Sequence, residues 1–163
     1  LKINNERKLL VANIMKNIKG TLKSEHRVNK DVIVIGDPTW RVGVLGLVAS
    51  KIVEEYKKTA FVWGLEGGTV IKGSCRSNGE INLVDLMSML PEGSLSDFGG
   101  HSGAGGFSAD HENIHFLEER LNVVYKSIPK NTLESPYFLF FLIAVFTEPS
   151  GFMSLLIVTL NLE

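Results

Sequence analysis

The chain has 163 residues, 44% of them hydrophobic and 21% charged, with a formal net charge of −1 and one cysteine, Cys75. That length suffices for one domain with a real core plus an appendage, and the near-neutral balance excludes a broadly basic surface that coats nucleic acid through many phosphate contacts, so any phosphate site must be local. A lone cysteine excludes an intrachain disulfide and a multi-cysteine metal cluster and suits the reducing cytoplasm, and the charged, polar N-terminus does not read as a secretory leader.

From Asn4 to Ile18, the apolar residues Leu9, Leu10, Ile14 and Ile18 recur at roughly helical spacing, which predicts an amphipathic helix stopped at Gly20. We read residues 1–22 as a linker helix. A polar loop, Glu25 to Lys30, leads into the β-branched run Asp31 to Gly36, the pattern of a buried strand, and Asp37-Pro38-Thr39-Trp40 turns the chain. Val44, Val48, Ile52 and Tyr56, widened by Leu45, Ala49 and Val53, predict a helix over Val42 to Lys58. Gly43, Gly46 and Ser50 fall on one side of it. A glycine costs about 1 kcal/mol in a helix interior, so their placement predicts that something lies close against that side, either a ligand or the sheet.

Thr59 to Leu65 and Thr69 to Ser77 read as two strands of an antiparallel hairpin turned at Glu66-Gly67-Gly68. The two-residue period puts Val70, Lys72, Ser74 and Arg76 on one face of the second strand and Ile71, Gly73, Cys75 and Ser77 on the other. That polar row is either solvated surface or a site at which the Arg76 guanidinium, near the strand end, forks onto phosphate. Asn82 is positioned to cap a short helix, Leu83 to Met89, ended by Pro91 and Gly93. Next comes Gly99-Gly100-His101-Ser102-Gly103-Ala104-Gly105-Gly106, five glycines in eight residues around one imidazole. It reads as a flexible turn or as a phosphate cradle in which successive amides surround an anion.

A strand carrying Phe107 is expected over Gly103 to Ser108. Asp110 then caps a last helix to about Ser127, with Ile114, Leu117, Leu121 and Val124 inward and Pro129 closing it. Beyond, the apolar runs Tyr137 to Phe146 and Phe152 to Leu160 are too short to span a bilayer as helices, and Glu148-Pro149-Ser150-Gly151 joins them as a hairpin. Strands this apolar need covering, by a partner copy in a homo-oligomer or by another domain. Leu162-Glu163 reads as a cloning scar. The expected fold is mixed α/β: a central mixed sheet flanked by helices in residues 23–130, then the C-terminal apolar hairpin in residues 131–163.

Three blocks, Trp40 to Ser50, Lys72 to Ser77 and Gly99 to Gly106, resemble in order and spacing the DHH-associated domain of RecJ-type single-strand-specific exonucleases. The resemblance covers roughly Asn5 to Ser127. It implies a preceding domain, outside this sequence, whose Asp-His-His motif and other ligands hold manganese or magnesium and cleave phosphodiesters from a 5′ end, while the associated domain faces it across a cleft and binds single-stranded DNA. Carried over, it puts Arg76 and Ser77, in the polar row with Ser74 and Lys72, on substrate phosphate. It puts His101 at the phosphate beside the metals, with the Gly99, Gly100 and Gly105 backbone around it. Trp40, Gly43, Gly46 and Ser50 belong to the supporting motif, Trp40 as an apolar anchor or as a stacking platform for a base. Two positions depart from the pattern: Arg41 replaces a histidine and Gly105 replaces an alanine.

No Asp-His-His tripeptide occurs in the chain, and Asp110-His111-Glu112 is explained by helix capping. His111 and His115, four apart, lack the further ligands that a metal needs, and His26 has no dense carboxylate company. The chain is therefore expected to bind and not to cut, without a cofactor of its own. Two other readings remain: the substrate domain of a DHH phosphoesterase acting on oligoribonucleotides or cyclic dinucleotides, and a non-catalytic RNA-binding module like that of alanyl-tRNA synthetases.

Overall fold

A computed structural model of the chain describes residues 2–24, 27–65 and 70–130. Four helices, α1 (Lys2–Ser24), α2 (Val42–Tyr56), α3 (Leu83–Ser88) and α4 (His111–Ser127), accompany five strands among the described residues. The strands are β1 (Val32–Gly36), β2 (Thr59–Gly64), β3 (Ile71–Arg76), β4 (Asp97–Gly100) and β5 (Ala104–Ala109). They form one sheet in the order β1-β2-β3-β5-β4. Only β1 and β2 pair in parallel, joined by α2 as a crossover, and every other pair is antiparallel.

Strand alternation divides the core in two. Ile33, Ile35, Ala60 and Val62 pack on one face against Ile14 and Ile18 of α1 and Leu45 and Val48 of α2. On the other face Val34, Phe61, Cys75 and Phe107 meet Leu83 and Leu86 of α3 and Leu117 and Leu121 of α4. The result is a mixed α/β fold with helices on both sides of a central sheet, as expected.

Details differ from the sequence reading. Helix α1 runs past Gly20, which is exposed, because Leu22 two residues later is fully buried and its packing outweighs the glycine. Helix α2 ends at Tyr56, where Lys57 turns left-handed (φ 57°) and donates its N–H to the Val53 carbonyl. Strand β4 was not expected at all: Gly99 and Gly100 belong to it, paired with Gly106 and Gly105. Asn82 caps α3 as predicted, its Oδ1 accepting the Val84 N–H at 3.0 Å. Asp110 stands at the head of α4 but makes no capping bond, because its Oδ1 accepts from Ser96 Oγ at 3.2 Å instead. The Glu66-Gly67-Gly68 turn, His26 and the C-terminal hairpin lie outside the described residues.

The free edge of β1 is closed by side chains. Asn122 Oδ1 accepts the N–H groups of Asp31 (2.9 Å) and Val32 (3.0 Å), and its Nδ2 donates to the Val32 carbonyl at 2.9 Å. One residue pair along, Glu118 Oε1 accepts the Val34 N–H at 3.1 Å while Arg27 Nη2 donates to the Val34 carbonyl. Burial pushes the Glu118 carboxyl up, but hydrogen bonds from Arg27, Lys30 and the Val34 N–H together outweigh it and hold the group below its ordinary range. An exposed edge strand is thereby denied to other chains. No helix of the described residues is long and apolar enough to cross a membrane.

Candidate functional site

Strand register decides what faces outward near the glycine stretch. Phe107 is buried in the α3/α4 core, and a Cβ on Gly105 would lie 3.0 Å from Cys75 Sγ and 3.3 Å from Met87 Cε, so both face α3. Their neighbours Ala104, Gly106 and Ser108 therefore face the α2 side. Cross-strand pairing places Arg76, Ser74 and Lys72 beside them on one flank, and Gly99 and Asp97 beside Gly106 and Ser108 on the other. Every one of these eight residues is exposed or half-buried. The outcome is an open shelf floored by glycine, alanine and serine, with α2 along one side. A Cβ at Gly99 would meet nothing within 4 Å, so the main chain of the shelf is accessible to another molecule.

Arg76 ends β3 next to this shelf and is half-buried. Its Nη1 donates to the Cys75 carbonyl at 2.8 Å. Its Nη2 lies 2.9 Å from the position that a Cβ on Gly46 of α2 would take. No carboxylate pairs with Arg76 or Lys72 among the described residues, and the Ser74 hydroxyl has no partner there either. An unpaired guanidinium at a small-residue surface is suited to an anion it can grip with a fork of two N–H bonds.

His101 occupies the turn between β4 and β5 and is exposed. That turn is fixed from three sides: the His101 N–H donates to the Ala104 carbonyl (2.8 Å), Leu83 N–H to Ser102 O (3.0 Å), and Ser77 N–H to Gly103 O (3.0 Å). Gly100 has φ 146°, and a Cβ there would come within 2.4 Å of the Ala104 carbonyl oxygen, so only glycine fits. Because Ala104 is the register partner of Arg76, the imidazole and the guanidinium stand at the same end of the sheet.

Five residues of the expected set lie away from the shelf or are engaged elsewhere. The Ser77 hydroxyl is already committed, donating to Ile81 O at 2.8 Å and accepting the Gly79 N–H at 3.0 Å, which closes the loop between β3 and α3. Gly105 packs toward Cys75 on the face away from the shelf. Trp40 is 9% exposed and packs in the α1/α2 core, as the apolar-anchor alternative expects. Gly43 is exposed with nothing within 4 Å of its Cβ position, unlike Gly46, and the Ser50 hydroxyl donates to the Gly46 carbonyl at 3.0 Å. Ala104 and Gly106 lie within the candidate cradle stretch, but the sequence assigns them no side of the sheet, and Ser108 and Asp97 were missed as shelf residues. Alternation along β5 carries the signal for three of them, once β4 is known to pair beside it. Among the described residues no three His, Cys, Asp or Glu side chains gather as a metal site, and His111 and His115 are both exposed on α4.

Residues 11–127 match the family model described as the DHHA1 domain. The chain is 33% identical over 138 residues to the single-stranded-DNA-specific exonuclease RecJ of Bacillus subtilis (strain 168), a match covering 84% of this chain and 17% of that protein. It is 30% identical over 86 residues to the enzyme of the same name from Escherichia coli (strain K12), covering 51% of this chain and 15% of the relative. Among solved structures, it resembles exonuclease RecJ bound to manganese with a TM-score of 0.66 at 26% identity, over 78% of this chain and 31% of that one. RecJ from Thermus thermophilus in complex with Mg2+ gives a TM-score of 0.63 at 26% identity, over 78% of this chain and 19% of that one. The chain thus spans less than a third of each of these proteins.

Proposed function

Because this chain belongs to the DHHA1 domain family, we propose that it holds the sugar-phosphate backbone of single-stranded DNA for a RecJ-like 5′-to-3′ exonuclease active in DNA repair and recombination. The observation that carries this reading is the Arg76 guanidinium, unpaired by any described carboxylate, at the edge of a shelf of small residues.

A phosphodiester lying on the shelf accepts a forked pair of hydrogen bonds from Arg76, with the Ser74 hydroxyl and the Lys72 ammonium along the same row. His101, held out on its fixed turn, donates to the next phosphate and sets it for the catalytic domain of the parent protein. Each charge-assisted bond contributes about 1.5 to 3 kcal/mol. Such contacts read the backbone and not the bases, which suits an enzyme that digests any sequence. Manganese or magnesium in the parent enzyme supplies an activated water and neutralises phosphate charge. In this reading the part of the described residues is to bind and to position the strand.

The test is a titration with fluorescent oligodeoxythymidylates of increasing length, and with mononucleotides, at low salt. Affinity should tighten with length, and Arg76→Ala should weaken it about tenfold or more, with a smaller loss for His101→Ala. Unchanged affinity in both variants removes the site assignment. Equal binding of cyclic dinucleotides and long strands would shift the substrate to small nucleotides, and a preference for folded transfer RNA would shift it to an RNA-binding module.

A further inference from the structure

Gly46 stands in the interior of α2, where alanine is the better helix former. A Cβ built there would lie 2.9 Å from Arg76 Nη2, 3.6 Å from Arg76 Cζ and 3.8 Å from Ser74 Oγ. The guanidinium therefore occupies the volume that any side chain at this position would fill. Its other arm is held from the sheet side, where Nη1 donates to Cys75 O at 2.8 Å. One turn along α2, the Ser50 hydroxyl donates to the Gly46 carbonyl at 3.0 Å and ties down the same stretch of helix. Gly43, in the turn before, has nothing within 4 Å of its Cβ position, so the close approach belongs to Gly46 alone of the two.

We propose that Gly46 is a positioning residue: the side chain it lacks leaves a slot in α2 that seats the Arg76 guanidinium against the sheet and presents it ready-oriented to phosphate. This rests on the reading that Arg76 binds phosphate. A long arginine side chain that is free in solution must surrender rotamer freedom on gripping an anion, and a seat surrenders it in advance. Because the atom in the way is the far end of a flexible side chain, Gly46→Ala is expected to fold and to displace the guanidinium, not to disrupt the helix.

The experiment is a double-mutant cycle on the full 163-residue chain, reading affinity for oligodeoxythymidylate and its dependence on salt. Gly46→Ala should weaken binding about tenfold and lower the log–log salt slope by about 0.7, the share of one phosphate contact on a single strand. Arg76→Ala should do the same or more, and the double variant should bind no more weakly than Arg76→Ala alone. Unaltered binding by Gly46→Ala beside a weakened Arg76→Ala overturns the seat while leaving the phosphate reading in place, as do losses that multiply in the double variant. Unaltered binding by Arg76→Ala overturns the phosphate reading itself. Should Gly46→Ala fail to fold, the Arg76→Ala background decides: recovery there shows that the guanidinium was the obstacle, and continued failure shows that it was not.

Discussion

Gly100 has the least latitude of the residues around the candidate site. Its backbone lies at φ 146°, and the nearest obstacle to a Cβ is the Ala104 carbonyl oxygen at 2.4 Å, a main-chain atom that cannot swing aside. Gly100→Ala is accordingly expected to destabilise the fold by about 1 to 3 kcal/mol, measured by urea denaturation. It should also abolish the His101 contribution to binding, since that imidazole is presented by the turn which Gly100 begins. Gly46→Ala is the opposite kind of change, because its obstacle is a mobile guanidinium. That something lies close to the Gly43 and Gly46 side of α2 was legible in the sequence, but not that Gly46 alone makes the approach, nor what confines Gly100. Nothing local distinguishes Gly46 from Gly43, and only the pairing of β4 with β5 reveals what lies across from Gly100. The polar row was legible: Lys72, Ser74 and Arg76 alternate as the strand period demands, and the structure adds which side of the sheet they face. Ser77 and Gly105 could not have been placed that way, as their partners Ile81 and Cys75 are set by a loop and by a neighbouring strand.

At the level of elements, the apolar spacing of α2 and α4 and the β-branched run of β1 identified those segments correctly, because their packing is encoded along their own length. Strand β4 went unread because glycine is a poor strand former. What makes glycine acceptable in this part of the sheet is non-local. The Phe107 ring lies over Gly73 of the adjacent strand, where a Cβ would come within 2.1 Å of the ring, and it meets Phe61 at a centroid separation of 5.4 Å. The closure of β1 by α4 was equally hidden, since Glu118 and Asn122 look like solvent-facing helix residues until the strand edge is beside them. That closure is titratable. A carboxyl whose pKa is held down in the folded state contributes stability that is complete above the ordinary glutamate value of 4.5 and is lost as the pH falls through the lowered pKa. Thermal denaturation followed from neutral pH into the acid range should show that loss in the unsubstituted chain and a flatter acid limb in Glu118→Gln. Equal acid limbs would mean that the buried pairings of Glu118 with Arg27 and Lys30 do not set acid stability.

For the whole molecule, a net charge of −1 leaves little general attraction for DNA. The proposed binding must come from a few placed cations, so the salt slope of the chain should be shallow, about 0.7 per phosphate engaged. The layered fold supplies the placement. Helix α2 is both the cover of the sheet and the wall beside the shelf, while α3 and α4 bury the reverse face and hold the strands in register. The three hydrogen bonds around the His101 turn carry one more consequence. The first N–H of α3, from Leu83, ends on Ser102, and the Ser77 N–H at the end of β3 ends on Gly103. Neither the short helix nor the turn can then open without releasing the other. In amide hydrogen exchange, Ser77, Leu83 and His101 should share one opening free energy, and a destabilised α3 should loosen the imidazole from a distance without touching it.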